Sequence, residues 1–445
     1  PEHAGANHNL GLLMAQRGDP QKALPNLRRA LESDASQGQY WLSYAKALAA
    51  AGHGRDALAL LQSGKQRGLS GAAFEALVAR LKDANSSGDD APDPAVAADR
   101  CRQAIARDPD NAGLHFDLGY ALTAQGHLQD AIAAYREAVR LRPDFAEAHF
   151  RLGSLLSEHD QIQEGFAHYM RRAELTYGRG PAPAPSSPEP LHKIKHDREQ
   201  RDFLAGGHAP PEAPAIADMF HLEDGSRLSG PAVNPANATP EVLARWRGSH
   251  PQMVVIENFL VPEALEKLRK YCAGSTIWRR IYEAGYIGAT PEDGFSCPLL
   301  AQIAEEIRST YPQILGAHRF RYLGAFKYDS ELSTGTNTHA DNAAVNVNFY
   351  IAPDEANLDP ESGGMDIWDV SAPNEAVMRE LNGNEQAARE FLKNRNAKLT
   401  KVPHRANRAV IFKSDLIHKT SDCRFKEGYL NKRINISLLF GDLGA

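Results

Sequence analysis

The stretch "NTHADNAAVNVNFYIA", residues 337–352, places a His-x-Asp triplet directly before a run that alternates polar and apolar side chains. Alternation at period two marks a β-strand. In extended backbone residues two apart face the same way, so the side chains of His339 and Asp341 can converge on one ion. Carried on at that period, Val345, Val347, Phe349 and Ile351 share the parity of the pair, and without a bulge the pair is expected to face an apolar interior. The triplet alone decides nothing. With 17 histidines in the chain and aspartate at roughly one position in twenty, about one such triplet is expected by chance. His115-Phe116-Asp117 is a second.

A third candidate separates site from coincidence. In "NRAVIFKSDLIHKTSD" an apolar strand, Ala409 to Phe412, is followed by a polar turn and then His418. Two imidazoles and one carboxylate on a rigid β scaffold form the facial triad of non-haem Fe(II) oxygenases, which leaves positions open for cosubstrate and O2. Structural zinc more often takes thiolates and a closed shell. A mutual His–Asp hydrogen bond is the bland alternative for His339 and Asp341. In the closing strand "KRINISLLF", Arg433, Asn435 and Ser437 alternate onto one face. An arginine with a hydroxyl beside it suits a bidentate grip on a dicarboxylate, which here would be 2-oxoglutarate. An edge-strand arginine facing solvent is the alternative, and Arg424 or Lys426 competes for the role.

Around these residues β-rich segments accumulate: "MVVIENFL" entering the helix "VPEALEKLRKYC", then "RFRYLGAFKY", "AAVNVNFYIA", "GGMDIWDV", "RAVIFKS" and "RINISLLFGD". Separated by Gly, Asn and Asp turns, they predict a β-sandwich or a double-stranded β-helix (jelly-roll type) over 251–445. Between the glycine-pair strand and "NRAVIF", about 371–402 reads as a helical insertion, either a lid or an interface. Upstream, "GRGPAPAPSSPEP" opens a Pro-rich linker and connecting segment, 178–250. In it His192 and His196 stand four apart on a charged helix and are expected to be solvated.

Residues 1–177 carry a repeat. A shift of 34 residues takes Leu118-Gly119 onto Leu152-Gly153, which is the tetratricopeptide length. Gly119, Ala131, Tyr135, Ala138 and Pro143 fall where a helical hairpin needs small contacts, an aromatic filler and a stop. Gly11, Ala23, Leu27 and Ala30 repeat the offsets, and Trp41, Ala45, Ala57 and Leu61 do so again. This part resembles the tetratricopeptide (TPR) family, with four or five repeats stacked into an α-helical superhelix. The resemblance implies a groove that holds a peptide segment, with a scaffold or homo-oligomer surface as the alternative. It also disposes of the second triplet, because on a helix His115 and Asp117 point about 200° apart.

Composition narrows the class. At 445 residues, 42% hydrophobic and 24% charged, with a net charge of −6, the chain is expected to hold two or three soluble domains. Nucleic acid is not expected as a partner, since phosphate binding calls for a basic face. No run approaches the roughly 18–20 apolar residues of a membrane span. Four scattered cysteines without a C-x-x-C pair suggest reduced thiols and a cytoplasmic location.

Taken with "FKYDSELSTGTNTHAD", "SGGMDIWD", "NRAVIF" before "LIH" and "RINISLLF", residues 253–442 resemble the Fe(II)/2-oxoglutarate-dependent oxygenases, in the prolyl-hydroxylase-like branch. The resemblance implies a dioxygenase that decarboxylates 2-oxoglutarate with O2 and hydroxylates a C–H bond, most simply of a peptide or protein captured with help from the repeats. The same chemistry on a small molecule and a non-catalytic scaffold are the alternatives. His339, Asp341 and His418 would hold the iron, Arg433 and Ser437 the distal carboxylate of 2-oxoglutarate, and Tyr328 would assist cosubstrate binding. Halogenating relatives lack the carboxylate ligand that Asp341 supplies here.

Overall fold

The computed structural model describes residues 4–16, 20–34, 37–51, 54–66, 74, 77–78, 81, 93–178, 189–210, 213–333 and 336–443. Most of the proline-rich stretch 178–190 and the acidic "DANSSGDDAPDP" lie outside these. The chain divides into two compact units, Pro1–Gln103 and Ala104–Ala445.

The first unit contains the antiparallel pairs α1 (Ala4–Gln16) with α2 (Pro20–Ser33) and α3 (Gly38–Ala50) with α4 (Gly54–Gln66). The small residues at the repeat offsets are its contacts: Ala23, Ala30, Ala45 and Ala57 are fully buried, with Leu27, Trp41 and Leu61 beside them. α5 (Pro94–Ile105) runs through the division.

The second unit opens with two more hairpins, α6 (Ala112–Ala124) with α7 (Leu128–Leu141) and α8 (Ala146–Glu158) with α9 (Ile162–Tyr177). Asn111 caps α6 by accepting from the amides of Gly113 and Leu114, which satisfies two donors that helix geometry leaves unpaired. Tyr135 fills the space that Gly119 leaves open, and a Cβ at 119 would lie 2.7 Å from its ring. One hairpin later, a Cβ on Gly153 would sit 2.9 Å from the Gly165 carbonyl oxygen, so α8 and α9 meet backbone to backbone. Gly153→Leu is therefore expected to lower stability by about 1–3 kcal/mol, measured as a fall in the urea midpoint at unchanged slope. His115 donates its Nε2 hydrogen bond to the Pro109 carbonyl while Asp117 stands exposed, as the helix geometry requires.

α9 packs onto the rest of this unit. Phe166 stacks edge-on with Phe320, Arg172 donates to the Glu292 carbonyl at 2.6 Å and Tyr177 to Asp293 at 2.9 Å. The polar face of α10 (Leu191–Leu204) is turned inward, burying Lys193, His196 and Gln200. The expectation that His192 and His196 are solvated fails for His196, which is 5% exposed because Asp197 and Lys327 supply polar partners inside. α11 (Pro240–Gly248), α12 (Pro262–Gly274) and α13 (Pro298–Thr310) each start on a proline, which has no amide to leave unpaired.

Two antiparallel sheets follow. The larger has the order β1-β8-β5-β10-β4-β3-β2 and the smaller β7-β6-β9, from β1 (Met253–Ile256), β2 (Arg280–Ile281), β3 (Tyr286–Ala289), β4 (Phe320–Tyr328), β5 (Val345–Tyr350), β6 (Met365–Ser371), β7 (Leu399–Val402), β8 (Ala409–Lys413), β9 (Leu416–Thr420) and β10 (Arg433–Phe440). Side chains opposite one another in a ladder share a face. One face of the large sheet carries Leu323 and Ala325, Val345, Val347 and Phe349, Ala409 and Ile411, and Ile436 and Leu438, all buried in the core that includes α12 and α13. The opposite face looks toward the small sheet. Val410 and Phe412 meet Met365, Ile367 and Leu416 there, while Asn346, Asn348, Arg433, Asn435 and Ser437 make the neighbouring part of that face polar.

The face assigned to the His-Asp pair needs correcting. Val345, Val347 and Phe349 point into the helix-side core, whereas Asn346 and Asn348 line the cavity with His339 and Asp341. The chain bends over 342–344, pinned by Asp341 N to the Ser414 carbonyl and Ala344 N to the Phe440 carbonyl, both at 3.0 Å. That bend resets the period-two count before β5 begins.

The insertion forms α14 (Glu375–Gly383) and α15 (Glu385–Asn394) between β6 and β7, each started by an asparagine cap, Asn374 and Asn384.

Candidate metal centre and cosubstrate cavity

His339 and His418 face each other across a short two-stranded bridge in which each backbone amide donates to the other's carbonyl, at 2.9 and 2.8 Å. Their ring centroids stand 4.3 Å apart. Asp341 Oδ2 lies 3.4 Å from His418 Nε2, and one ligating atom from each of the three residues lies within 4.8 Å of the others. Among the described residues this is the group of three or more His, Cys, Asp or Glu side chains close enough to share an ion.

Protonation is fixed by the backbone. His339 Nδ1 donates to the Asn337 carbonyl at 2.7 Å, and His418 Nδ1 donates to the Leu416 carbonyl at 2.8 Å. A carbonyl only accepts, so in each neutral ring Nε2 keeps its lone pair and turns it toward the other two residues. Burial pushes the His339 pKa down, and the His418 ring adds to the shift. For Asp341 burial acts upward, but the bond to His418, both imidazoles and the 2.7 Å hydrogen bond from Asn346 Nδ2 outweigh it and hold the carboxyl at about 2. A divalent cation bound here would displace any Nε2 proton and take a lone pair from each imidazole together with the Asp341 carboxylate.

A cavity of about 490 Å³ opens beside it. All six residues singled out in the sequence line it, His339, Asp341, His418, Tyr328, Arg433 and Ser437. Arg433 is fully buried. It donates to the Gly363 carbonyl at 2.5 Å, the Gly364 carbonyl at 3.2 Å and Asn435 Oδ1 at 2.6 Å, and its guanidinium carbon lies 4.6 Å from the Tyr328 ring centre. These acceptors are neutral, so the positive charge has no carboxylate partner among the described residues. Arg424 and Lys426, by contrast, are exposed and do not line the cavity.

The glycine pair explains how the arginine is held. Gly363 has φ +77°, and a Cβ on Gly364 would lie 1.9 Å from the Val402 carbonyl oxygen. Only a bare backbone brings two carbonyls to one guanidinium here. Ser437 donates to Asn346 Oδ1 at 3.2 Å, and Tyr328 OH pairs with Thr420 Oγ1 at 3.2 Å. An aromatic wall closes one side: Tyr282 stacks on Tyr286 at 4.4 Å and Tyr286 on Tyr328 at 4.9 Å. Asn346, Asn348, Tyr282 and Tyr286 escaped the sequence reading, although the alternation of Asn346 and Asn348 with Val345 and Val347 was its available signal.

Behind Arg433 sits His404, 2% exposed, its Nε2 on the Ala352 carbonyl at 3.2 Å. Burial first, then the charge of Arg433, drives its pKa from 6.5 to about 3. The unfolded chain takes up a proton near pH 6.5 that folded His404 refuses, so the stability present above that pH is lost as the pH falls toward 3. The loss between pH 6.5 and 5 is about 2 kcal/mol. His404→Phe is expected to flatten the slope of urea-derived stability over that range, without abolishing it, because His196 and His168 are also driven down and act in the same direction.

The insertion braces the ligand loop. Asn382 accepts from the Ala340 amide at 2.9 Å and donates to the Ala340 carbonyl at 2.8 Å, and Glu385 accepts from the Thr338 amide at 2.8 Å. Ala340 packs among Met378, Leu381 and Ile417.

Comparison with known proteins bears on the helical part. Profiles described as TPR repeat and Tetratricopeptide repeat match residues 119–159, 101–133 and 8–73. No curated protein matches. Similar solved structures include MamA from residue 41 onward, from Desulfovibrio magneticus RS-1, 22% identical over 40% of this chain and 96% of its own, TM-score 0.21. TTC0263, a thermophilic TPR protein of Thermus thermophilus, is 19% identical over 39% and 91%, TM-score 0.22. YrrB, a TPR protein with an unusual peptide-binding site, is 15% identical over 39% and 87%, TM-score 0.20. No described helix is long and apolar enough to cross a membrane. The N-terminal region is a run of tetratricopeptide repeats, an architecture that serves protein interaction.

Proposed function

We propose that residues 251–445 form a double-stranded β-helix oxygenase domain that uses Fe(II), 2-oxoglutarate and O2 to hydroxylate a C–H bond. The observation that carries this reading is the triad: two Nε2 lone pairs and one carboxylate, from three separate places in the chain, within 4.8 Å of one another. Bound Fe(II) would couple decarboxylation of 2-oxoglutarate by O2 to oxidation of the substrate. The chain's own part is arrangement. The Asn337 and Leu416 carbonyls hold the two imidazoles in one tautomer, as outer-shell partners of metal ligands do. Asn346 donates to Asp341 Oδ2 and fixes the orientation of the carboxylate. Arg433, the buried cation without a counter-charge, meets the distal carboxylate of the cosubstrate, with Ser437 and Tyr328 on the same face of the sheet.

The repeats suggest that the hydroxylated group belongs to a peptide or protein captured with their help. The second reading, a scaffold without catalysis, is favoured by the repeat matches alone. The test is spectroscopic and needs no substrate. Anaerobic addition of Fe(II) and 2-oxoglutarate is expected to give the weak visible metal-to-ligand charge-transfer band of this chemistry, absent in His339→Ala. A folded wild-type protein that binds neither component leaves the scaffold reading.

A further inference from the structure

A second cavity, of about 400 Å³, lies on the other side of β4 from the metal centre. Its size is within the roughly 300–1,000 Å³ of ordinary small-molecule sites. Phe203, Ile351, Ala352, Pro353, Tyr429 and Ile434 make its walls apolar. Four cationic side chains reach it, Arg269, Lys270, Lys327 and Lys432. Two of these are neutralised: Lys432 by Asp329 and by Glu199 at 3.4 Å, and Lys270 by Glu266 at 3.7 Å. The other acid of the lining, Glu223, faces His221 at 3.4 Å.

Arg269 and Lys327 have no such partner among the described residues. Arg269 spends its Nε on the Ile351 carbonyl and keeps the donors at the tip of its fork. Lys327 is 3% exposed. Its Nζ meets His196 Nε2 at 3.3 Å and lies 3.6 Å from the centre of the Tyr429 ring, while His196 Nδ1 is taken by Asp197 at 2.9 Å. An ammonium sunk this deep against an imidazole and the rings of Tyr429 and Trp278 is costly to keep charged, and burial brings its pKa down to about 7. A carboxylate entering the cavity would reverse that cost, taking a charge-assisted bond from each cation, and an apolar body behind it would cover the walls.

We propose that this cavity binds a small carboxylate with an apolar body, its anionic end held between Lys327 and Arg269. The assignment is independent of the oxygenase reading. The test is isothermal titration of the full chain with octanoate and with octanol, carried out in the Arg433→Met background so that the first cavity's cation plays no part. Octanoate is expected to bind one to one and at least about tenfold more tightly than octanol, the worth of a charge-assisted contact. Lys327→Met, which keeps the stem and removes the amine, is expected to bring octanoate down to the octanol level, and Arg269→Gln to weaken it in the same direction. Equal binding of the two probes, no octanoate binding at millimolar concentration, or full octanoate affinity in a folded Lys327→Met protein would each overturn the assignment.

Discussion

Asp341→Ala is expected to lower the affinity for Co(II), a spectroscopic stand-in for Fe(II), by more than about 100-fold. Loss of an outer-shell partner alone costs roughly 10–100-fold, and Asp341 is the one anion among three donors. Without it two buried imidazoles face each other at 4.3 Å between ring centres, and an entering dication would find no negative charge. The measurement is the visible Co(II) ligand-field spectrum followed through a titration. Asp117→Ala, which alters the chance triplet on α6, should leave the titration unchanged. An Asp341→Ala protein that binds within threefold of wild type would remove the ground for the metal centre.

The second large effect concerns Arg433, and its sign differs between stability and binding. The guanidinium is fully buried against three neutral acceptors, and a buried charge without a counter-ion weighs against the fold. Arg433→Met is therefore expected to leave the melting temperature of the ligand-free protein unchanged or raised. Binding of 2-oxoglutarate should fall by about 2–5 kcal/mol, the range for removing one side of a buried hydrogen-bonded charge pair. Calorimetric titration with 2-oxoglutarate in the presence of Co(II), beside a thermal melt, reads both. Unchanged 2-oxoglutarate affinity would move the cosubstrate's anchor elsewhere. Because Arg433 lines a different cavity from Lys327, the result is separable from octanoate binding.

The repeat hairpins were legible because their information is local. A period of 34 puts Gly119, Ala131 and Ala138 at contacts that any pair of antiparallel helices must make, and the structure buries all three. The convergence of His339, Asp341 and His418 was legible for another reason: extended backbone on both sides leaves two-residue spacings few directions to point. What escaped depends on tertiary placement. The bend at 342–344 takes its hydrogen bonds from Ser414 and Phe440, some 70 to 100 residues onward, so nothing near β5 announced that the asparagines and not the valines would face the cavity. His196 looked solvated because its helix is highly charged; its ring lies between Asp197 of the same helix and Lys327 of the distant strand β4. Asn382 and Glu385 sit in an insertion whose sequence reads as an ordinary amphipathic excursion.

That insertion has a consequence for transplanting the centre. With Asn382 on both the amide and the carbonyl of Ala340 and Glu385 on the amide of Thr338, the tripeptide bearing His339 and Asp341 is stitched to α14 and α15, which a host scaffold without this insertion would not supply. Copying His339, Asp341 and His418 alone into such a host would leave peptide groups of the loop without acceptors or donors. A minimal portable version of this centre comprises the histidines, the aspartate and both short helices together.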